Sequence, residues 1–252
     1  MKKNPHLIQQ MTAAEYRDHP FDIVILPLGS LESHGGHLPF GTDALTAAIL
    51  AEEVAEKIPG AAVLPVVPYG ASDQYRNFSF TVSLGFETQT AIIRDILLSV
   101  YREGIRNIFI LNGHDGNIAP IEIAALKVKA AHPDMNIITL GAWWESLGPL
   151  LPDGFFEVWG GLGHGGEGEL SIGLALFEEL CQPELARGRV PDLPEFGKMI
   201  WLSSEITDTG ATGDPTKASV EKGMVMKETL VDAIVAMLTR QNETGWKTGY
   251  TT

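Results

Sequence analysis

Between Gly29 and Asp43 the chain reads Gly-Ser-Leu-Glu-Ser-His-Gly-Gly-His-Leu-Pro-Phe-Gly-Thr-Asp, which sets Glu32, His34, His37 and Asp43 within twelve residues. These side-chain types bind divalent cations through nitrogen and oxygen. Glu32 and His34 stand two positions apart, so an extended backbone points both the same way, and Gly35-Gly36 lets the chain double back to bring in Asp43. The same residues also fit a polar turn in which Thr42 or Asp43 caps the next helix. A second loop, Asn112-Gly-His-Asp-Gly-Asn117, holds His114 at a corner where Asn-Gly and Asp-Gly allow positive φ; it also fits a turn that happens to contain a histidine. A third, Gly163-His-Gly-Gly-Glu-Gly-Glu-Leu-Ser171, places His164 and Glu167 three apart ahead of a helical pattern, where either carboxylate also suits a helix N-terminus. Four of the seven histidines (His34, His37, His114 and His164) fall in these three glycine-rich loops, while His6, His19 and His132 sit in plain polar contexts. Loops that converged would offer imidazoles and carboxylates suited to Zn²⁺, Mn²⁺ or Fe²⁺, and a carboxylate between two ions would bridge them.

Short β-branched runs alternate with longer helical patterns, and these must carry the loops. The pattern predicts strands at 23–28, 62–67, 107–111 and 137–140, and helices at about 45–57, 87–103 and 118–131. Repeated βα units imply a mostly parallel sheet with helices on both faces and ligands at the carboxyl ends of the strands. Past Trp143-Trp144 the pattern loosens into irregular, substrate-side loops at about 145–166 and 182–218, separated by a short helix at about 169–180. A last helix spans about 219–240, and the polar tail from 242 to 252 reads as frayed.

Composition narrows the chemistry. The 252 residues are enough for a sizeable core without staples, and 18 Lys and Arg against 32 Asp and Glu give a net charge of −14, which disfavours nucleic acid and anionic membranes as partners. The one cysteine, Cys181, excludes an internal disulfide and a thiolate-rich metal site. The opening MKKNPHLIQQM lacks an apolar run and no 18-residue apolar window occurs, so the expected setting is cytoplasmic.

The segments Leu28-Gly-Ser-Leu-Glu-Ser-His34 with His37-Leu-Pro and Thr42-Asp43, Asn112–Asn117, His164–Ser171 and Gly213-Asp-Pro-Thr-Lys-Ala-Ser-Val-Glu-Lys-Gly223 follow one another along the chain. In that order, from about residue 7 to 240, they resemble the signature blocks of the creatininase (creatinine amidohydrolase) family. The resemblance implies an α/β, three-layer αβα fold with a mostly parallel central sheet, one domain over 1–252, two adjacent divalent ions and a homo-oligomer, commonly a hexamer. By motif it makes Glu32, His34, Asp43 and His114 metal ligands, with Asp43 as the bridge. Creatininase proper carries a further Glu two residues after the loop histidine, where this chain has Gly116. The His-x-Gly-Glu pattern of other members selects Glu167 instead, as ligand and catalytic carboxylate. His164 then corresponds to the proton-transfer residue, Glu169 supports a ligand or a helix terminus, and His37 either supports the centre or packs beside a helix.

The resemblance further implies that a metal-activated water hydrolyses a C–N bond in a small cyclic amide or formamide. Where the family often shows His and Phe-Pro-Gly-Thr, this chain has Gln74-Tyr75-Arg-Asn-Phe-Ser-Phe-Thr81, so its substrate-side loop departs from the pattern. Trp143, Trp144 and Trp159 are candidate pocket walls, although the first two also fit a core. The alternatives are a formamide deformylase on a pyrimidine nucleotide precursor, which needs a cation such as Arg76 or Lys217 at the site, and a peptide-trimming or cyclitol ring-opening hydrolase of the same family. A metal-binding scaffold without activity is less favoured, because structural metal sites are closed.

Overall fold

The computed structural model describes residues 3–18, 20–161, 163–194, 196 and 199–247. Readings that touch His19, positions 162, 195 and 197–198, and the chain end at 248–252 lie outside these. A short helix, α1 (Ala13–Asp18), precedes β1 (Ile23–Leu28), α2 (Thr42–Lys57), β2 (Ala61–Val63), α3 (Phe86–Arg102), β3 (Asn107–Asn112), α4 (Ile118–Ala131) and β4 (Asn136–Leu140). The four strands are all parallel, in the order β2-β1-β3-β4.

Alternation along the strands divides the core in two. Ile23, Ile25, Phe109 and Leu111 face Leu50 and Val54 of α2 together with Ile172, Leu230 and Ile234 from the later helices. Val24, Leu26, Leu28, Ile108 and Ile110 face Ile93 and Leu97 of α3 with Ile121 and Val128 of α4. Each fully buried side chain of this size contributes roughly 1.5–3 kcal/mol, and having apolar residues on both faces is what makes β1 and β3 continuous apolar runs. The result is the αβα architecture expected from the βα alternation.

Four elements differ from the sequence reading. β2 ends at Val63 rather than 67, because Pro65 and Pro68 lack the N–H a ladder requires; Val67 keeps a single bridge to Leu28. A five-residue helix, α5 (Trp143–Leu147), occupies the start of the stretch read as irregular. The stretch read as a helix at about 169–180 is α6 (Glu167–Leu176) followed by a separate 3₁₀ turn at Glu178–Leu180. Finally α7 (Val220–Glu243), capped by the Ser219 side chain on the Lys222 N–H, continues into a turn that buries Trp246 against the core. The indole N–H donates to Asn242 at 2.8 Å, so the chain is packed rather than frayed there.

The order of strands positions the site. From β1 the chain crosses to β2 on one side, and from β3 it crosses to β4 on the other, so a switch point opens between the carboxyl ends of β1 and β3. Both loops rich in metal-capable residues leave from those two ends. The first turn of α2 drops between them, and contact is so close that a Cβ on Gly113 would lie 2.3 Å from the carbonyl oxygen of Asp43. Only glycine admits this approach.

Candidate metal centre

Three loops meet at the switch point. Glu32, His34 and Asp43 come from the β1–α2 connection, His114 from the end of β3, and His164 with Glu169 from the start of α6. Their donor atoms form three overlapping groups, each within 4.8 Å: Glu32, Asp43 and His114; His34, Asp43 and Glu169; and Glu32, His34 and His164. His114 Nδ1 lies 3.1 Å from Asp43 Oδ2 and 3.3 Å from Glu32 Oε1, while His34 Nε2 lies 2.9 Å from Asp43 Oδ1 and 3.9 Å from Glu169 Oε2. Asp43 therefore stands between two donor sets, facing one with each oxygen.

Glu32, His34, Asp43 and His114 are 0–3% exposed, a depth at which unpaired charge is expensive. Yet Glu32 Oε1, Asp43 Oδ2 and His34 Nε2 have no well-directed hydrogen bond. Within their groups the donor atoms lie close enough together to share a cation, which would complete the arrangement. The nitrogen-and-oxygen donor set fits Zn²⁺, Mn²⁺ or Fe²⁺.

Protons take up part of that charge in the metal-free chain. Burial opposes a charge on His34, but Asp43 outweighs it and pushes the imidazole up to about 10. His114 is raised in the same way, against burial, by Glu32 and Asp43. Burial and the Asp43 charge raise Glu169 to about 7 against the pull of His34, whereas burial and then His34 bring His164 down to about 3. Because the folded His34 holds its proton more tightly than an unfolded one at 6.5, its contribution to stability is full below that pH and disappears as pH rises through about 10. Chelator-treated protein should therefore lose melting temperature between pH 7 and 10, and added Zn²⁺ should restore it while releasing protons. Calorimetry and a pH-indicator titration read both effects; a metal-free melting temperature independent of pH over that range would contradict them.

Of the two acids in the third loop, Glu169 lies with the donor cluster and Glu167 stands away from it. The Glu167 carboxylate is fully buried but turned to α7, where Lys222 Nζ donates at 2.6 Å and the backbone N–H groups of Glu157 and Val158 donate at 3.0–3.1 Å. Two residues further along a helix is a rotation of about 200°, so Glu169 points back into the cluster, held by the Gly165 N–H. A side chain at 116 has no room, since a Cβ there would sit 1.9 Å from the Ala71 carbonyl oxygen. The acid that the loop after β3 lacks is thus matched by one from α6.

The remaining predicted residues also have defined places. His164 Nε2 donates to the Ser33 carbonyl at 2.5 Å, which leaves Nδ1 bare and 3.6 Å from Glu32 Oε1. His37 donates through Nε2 to the Gly165 carbonyl at 2.8 Å, tying the first loop to the third. Sequence reasoning missed Tyr75, whose ring stacks on His164 at 3.9 Å and 25°, with His34 against the opposite side at 4.1 Å. Tyr75 lies in the segment that departs from the family pattern, and that departure was the available signal.

The cluster forms the floor of a cavity of about 270 Å³ walled by Trp143, Trp144, Trp159, Trp201 and Phe156. Trp143 is only 2% exposed and serves both core and wall. Among the described residues no Lys or Arg lines this cavity, whereas Asp115 and Glu145 do. Arg76 pairs with Asp73 at the surface, and Lys217 with Glu157.

The family model for creatinine amidohydrolase matches residues 9–238. The chain belongs to the creatininase family. Creatinine amidohydrolase of Pseudomonas putida is 30% identical, the match covering 84% of this chain and 86% of that protein. A mycofactocin precursor peptide peptidase of Mycobacterium ulcerans (strain Agy99) is 28% identical over 86% and 84%, and the 3-dehydro-scyllo-inosose hydrolase of Thermotoga maritima is 28% identical over 89% and 79%. A crystal structure of creatinine amidohydrolase superposes with a TM-score of 0.82 at 28% identity, covering 94% of this chain and 97% of that one. Related creatininase structures include a Mn form, a Zn–Zn form and a variant complexed with creatine. This creatininase-family chain is accordingly a hydrolase acting on C–N bonds, and divalent-metal binding is supported by both the donor cluster and the metal forms of its relatives. No helix among the described residues is long and apolar enough to cross a membrane.

Proposed function

We propose that the chain uses two divalent ions to hydrolyse the C–N bond of a small neutral or cationic amide. Glu32, Asp43 and His114 would hold one ion and His34, Asp43 and Glu169 the other, so that Asp43 belongs to both donor sets and Glu169 takes the place of Glu167. The observation that carries this reading is the set of buried, unpaired oxygens and nitrogens on the floor of an aromatic, acid-lined cavity. Divalent ions bound there would supply Lewis acidity, polarising a carbonyl and bringing the pKa of water from about 16 towards roughly 7.

The chain's own groups do the rest. The tryptophan walls stack a flat substrate and exclude water from it. Glu145 and Asp115 favour a positive or neutral group over an anionic one, which argues against a phosphorylated nucleotide precursor. His164, sandwiched by Tyr75 and His34 and anchored through Nε2, takes up a proton from the attacking water at Nδ1 and returns it to the leaving nitrogen. One domain spanning the chain performs these steps. With a single free cysteine and a partly exposed edge strand β4 beside the exposed Leu126, it suits a cytoplasmic homo-oligomer, whose subunit count sedimentation measures.

His164→Ala should keep its metal while turnover falls by about 10²–10⁴, the usual worth of a positioned acid–base. Metal analysis and steady-state kinetics on creatinine, a formamide and a short peptide test this; an unchanged rate removes His164 from the mechanism. Wild-type protein that holds metal yet cleaves no C–N substrate favours the scaffold.

A further inference from the structure

Ser30 and Ser72 are both completely buried and are not themselves members of the donor cluster. Ser30 Oγ donates to Glu32 Oε2 at 2.8 Å, Ser30 and Ser72 hydroxyls are hydrogen-bonded to each other, and Ser72 Oγ lies 3.2 Å from His114 Nε2. The direction of every bond in this chain follows from its ends. An ionised carboxylate only accepts, so Ser30 donates to Glu32 and must accept from Ser72. Ser72 has then spent its proton and can only accept from His114, so Nε2 carries the hydrogen. The Ala71 carbonyl, 3.1 Å from the same nitrogen and also purely an acceptor, demands the same. With Nε2 committed as a donor, Nδ1 is the nitrogen directed at Asp43 and Glu32, and the one that gives up its proton when a metal binds.

We infer that Ser30 and Ser72 form a two-hydroxyl relay that fixes the tautomer of His114 and locks it to Glu32, delivering both to the metal as one unit. These are positioning residues, and the inference rests on the metal reading above. The relay is itself braced, since the Ser72 N–H donates to Ser83 Oγ at 2.9 Å and the Ala71 N–H to Asn117 at 3.1 Å, binding this loop to the one that carries His114. It joins two strand ends, β1 through Ser30 and β3 through His114, by way of a loop from a third connection. Fixing a ligand's second nitrogen in this manner is worth 10- to 100-fold in metal affinity.

The test uses the intact protein with Zn²⁺ as probe, in competition with a chelator of known affinity. Ser30→Ala and Ser72→Ala should each weaken Zn²⁺ binding about 10- to 100-fold. The double variant should lose no more than the larger single, because either cut opens the same relay. In the zinc-loaded protein the His114 Nε2–H resonance should shift in Ser30→Ala as well, although Ser30 does not touch His114; a purely structural role would leave that signal in place. Both singles binding Zn²⁺ within twofold of wild type, additive losses in the double, or an unmoved Nε2–H in Ser30→Ala would each overturn the relay while leaving the metal centre standing. Wild-type protein that takes up no Zn²⁺ would instead overturn the metal reading, and the relay with it. Should Ser72→Ala not fold, Ser30→Ala alone decides through its affinity and its resonance.

Discussion

Asp43→Asn should leave the protein folded but unable to retain either ion, with turnover reduced about a thousandfold or more, the equivalent of the several kcal/mol that metal catalysis supplies. Asparagine keeps the shape of the side chain at the start of α2, so the contacts that seat this turn between β1 and β3 survive. What is lost is the negative charge shared by two donor sets, one through Oδ2 with His114 and Glu32 and the other through Oδ1 with His34 and Glu169. Each set falls to two protein donors, fewer than the three that catalytic sites commonly use. Elemental analysis after dialysis against buffered Zn²⁺ or Mn²⁺, alongside kinetics, measures both effects. A variant that retains one full equivalent would show that Asp43 does not bridge, and one that retains two would remove it from the centre.

The second large effect separates two acids only two residues apart. Glu169→Gln should strip metal and activity while leaving the melting temperature of the metal-free protein unchanged or higher, since it removes an acid crowded by Asp43 and Glu32. Glu167→Gln should do the reverse. Metal should stay bound, but Lys222 would lose its closest partner and the backbone N–H groups of Glu157 and Val158 would lose a charged acceptor, costing roughly 1–3 kcal/mol. That loss falls on the segment leading to Trp159, so KM is expected to rise more than kcat falls. Thermal melts, metal content and the KM–kcat split distinguish the variants, and interchanged phenotypes would return Glu167 to the centre.

This pair shows where a linear reading stops. The spacing His164-Gly-Gly-Glu-Gly-Glu identifies two carboxylates near a histidine, and motif likeness favoured the first. Which one enters the cluster depends on the rotational phase of α6 against the sheet. That phase is set by packing of Ile172 into the core beside Met226 and Leu230, and by Lys222, which arrives from α7 fifty-five residues later. Tyr75 was equally illegible. Nothing in Gln74-Tyr75-Arg76 states that the ring covers His164, because that contact exists only once the loop after β2 meets the loop ahead of α6.

The chain's local chemistry was enough for the alternation of strands and helices, for the glycine-rich turns at strand ends and for gathering metal-capable side chains in three loops, because period, turn residues and donor types are properties of neighbouring residues; singling out Glu32, His34, Asp43 and His114 among them took the likeness to a family. The order β2-β1-β3-β4, which puts the ends of β1 and β3 side by side, the turn of α6 that selects between two glutamates, and the serine pair linking Glu32 to His114 all arise from contacts between segments far apart in the chain. Such contacts are fixed by the shared burial of whole faces, and no window along the chain contains both partners.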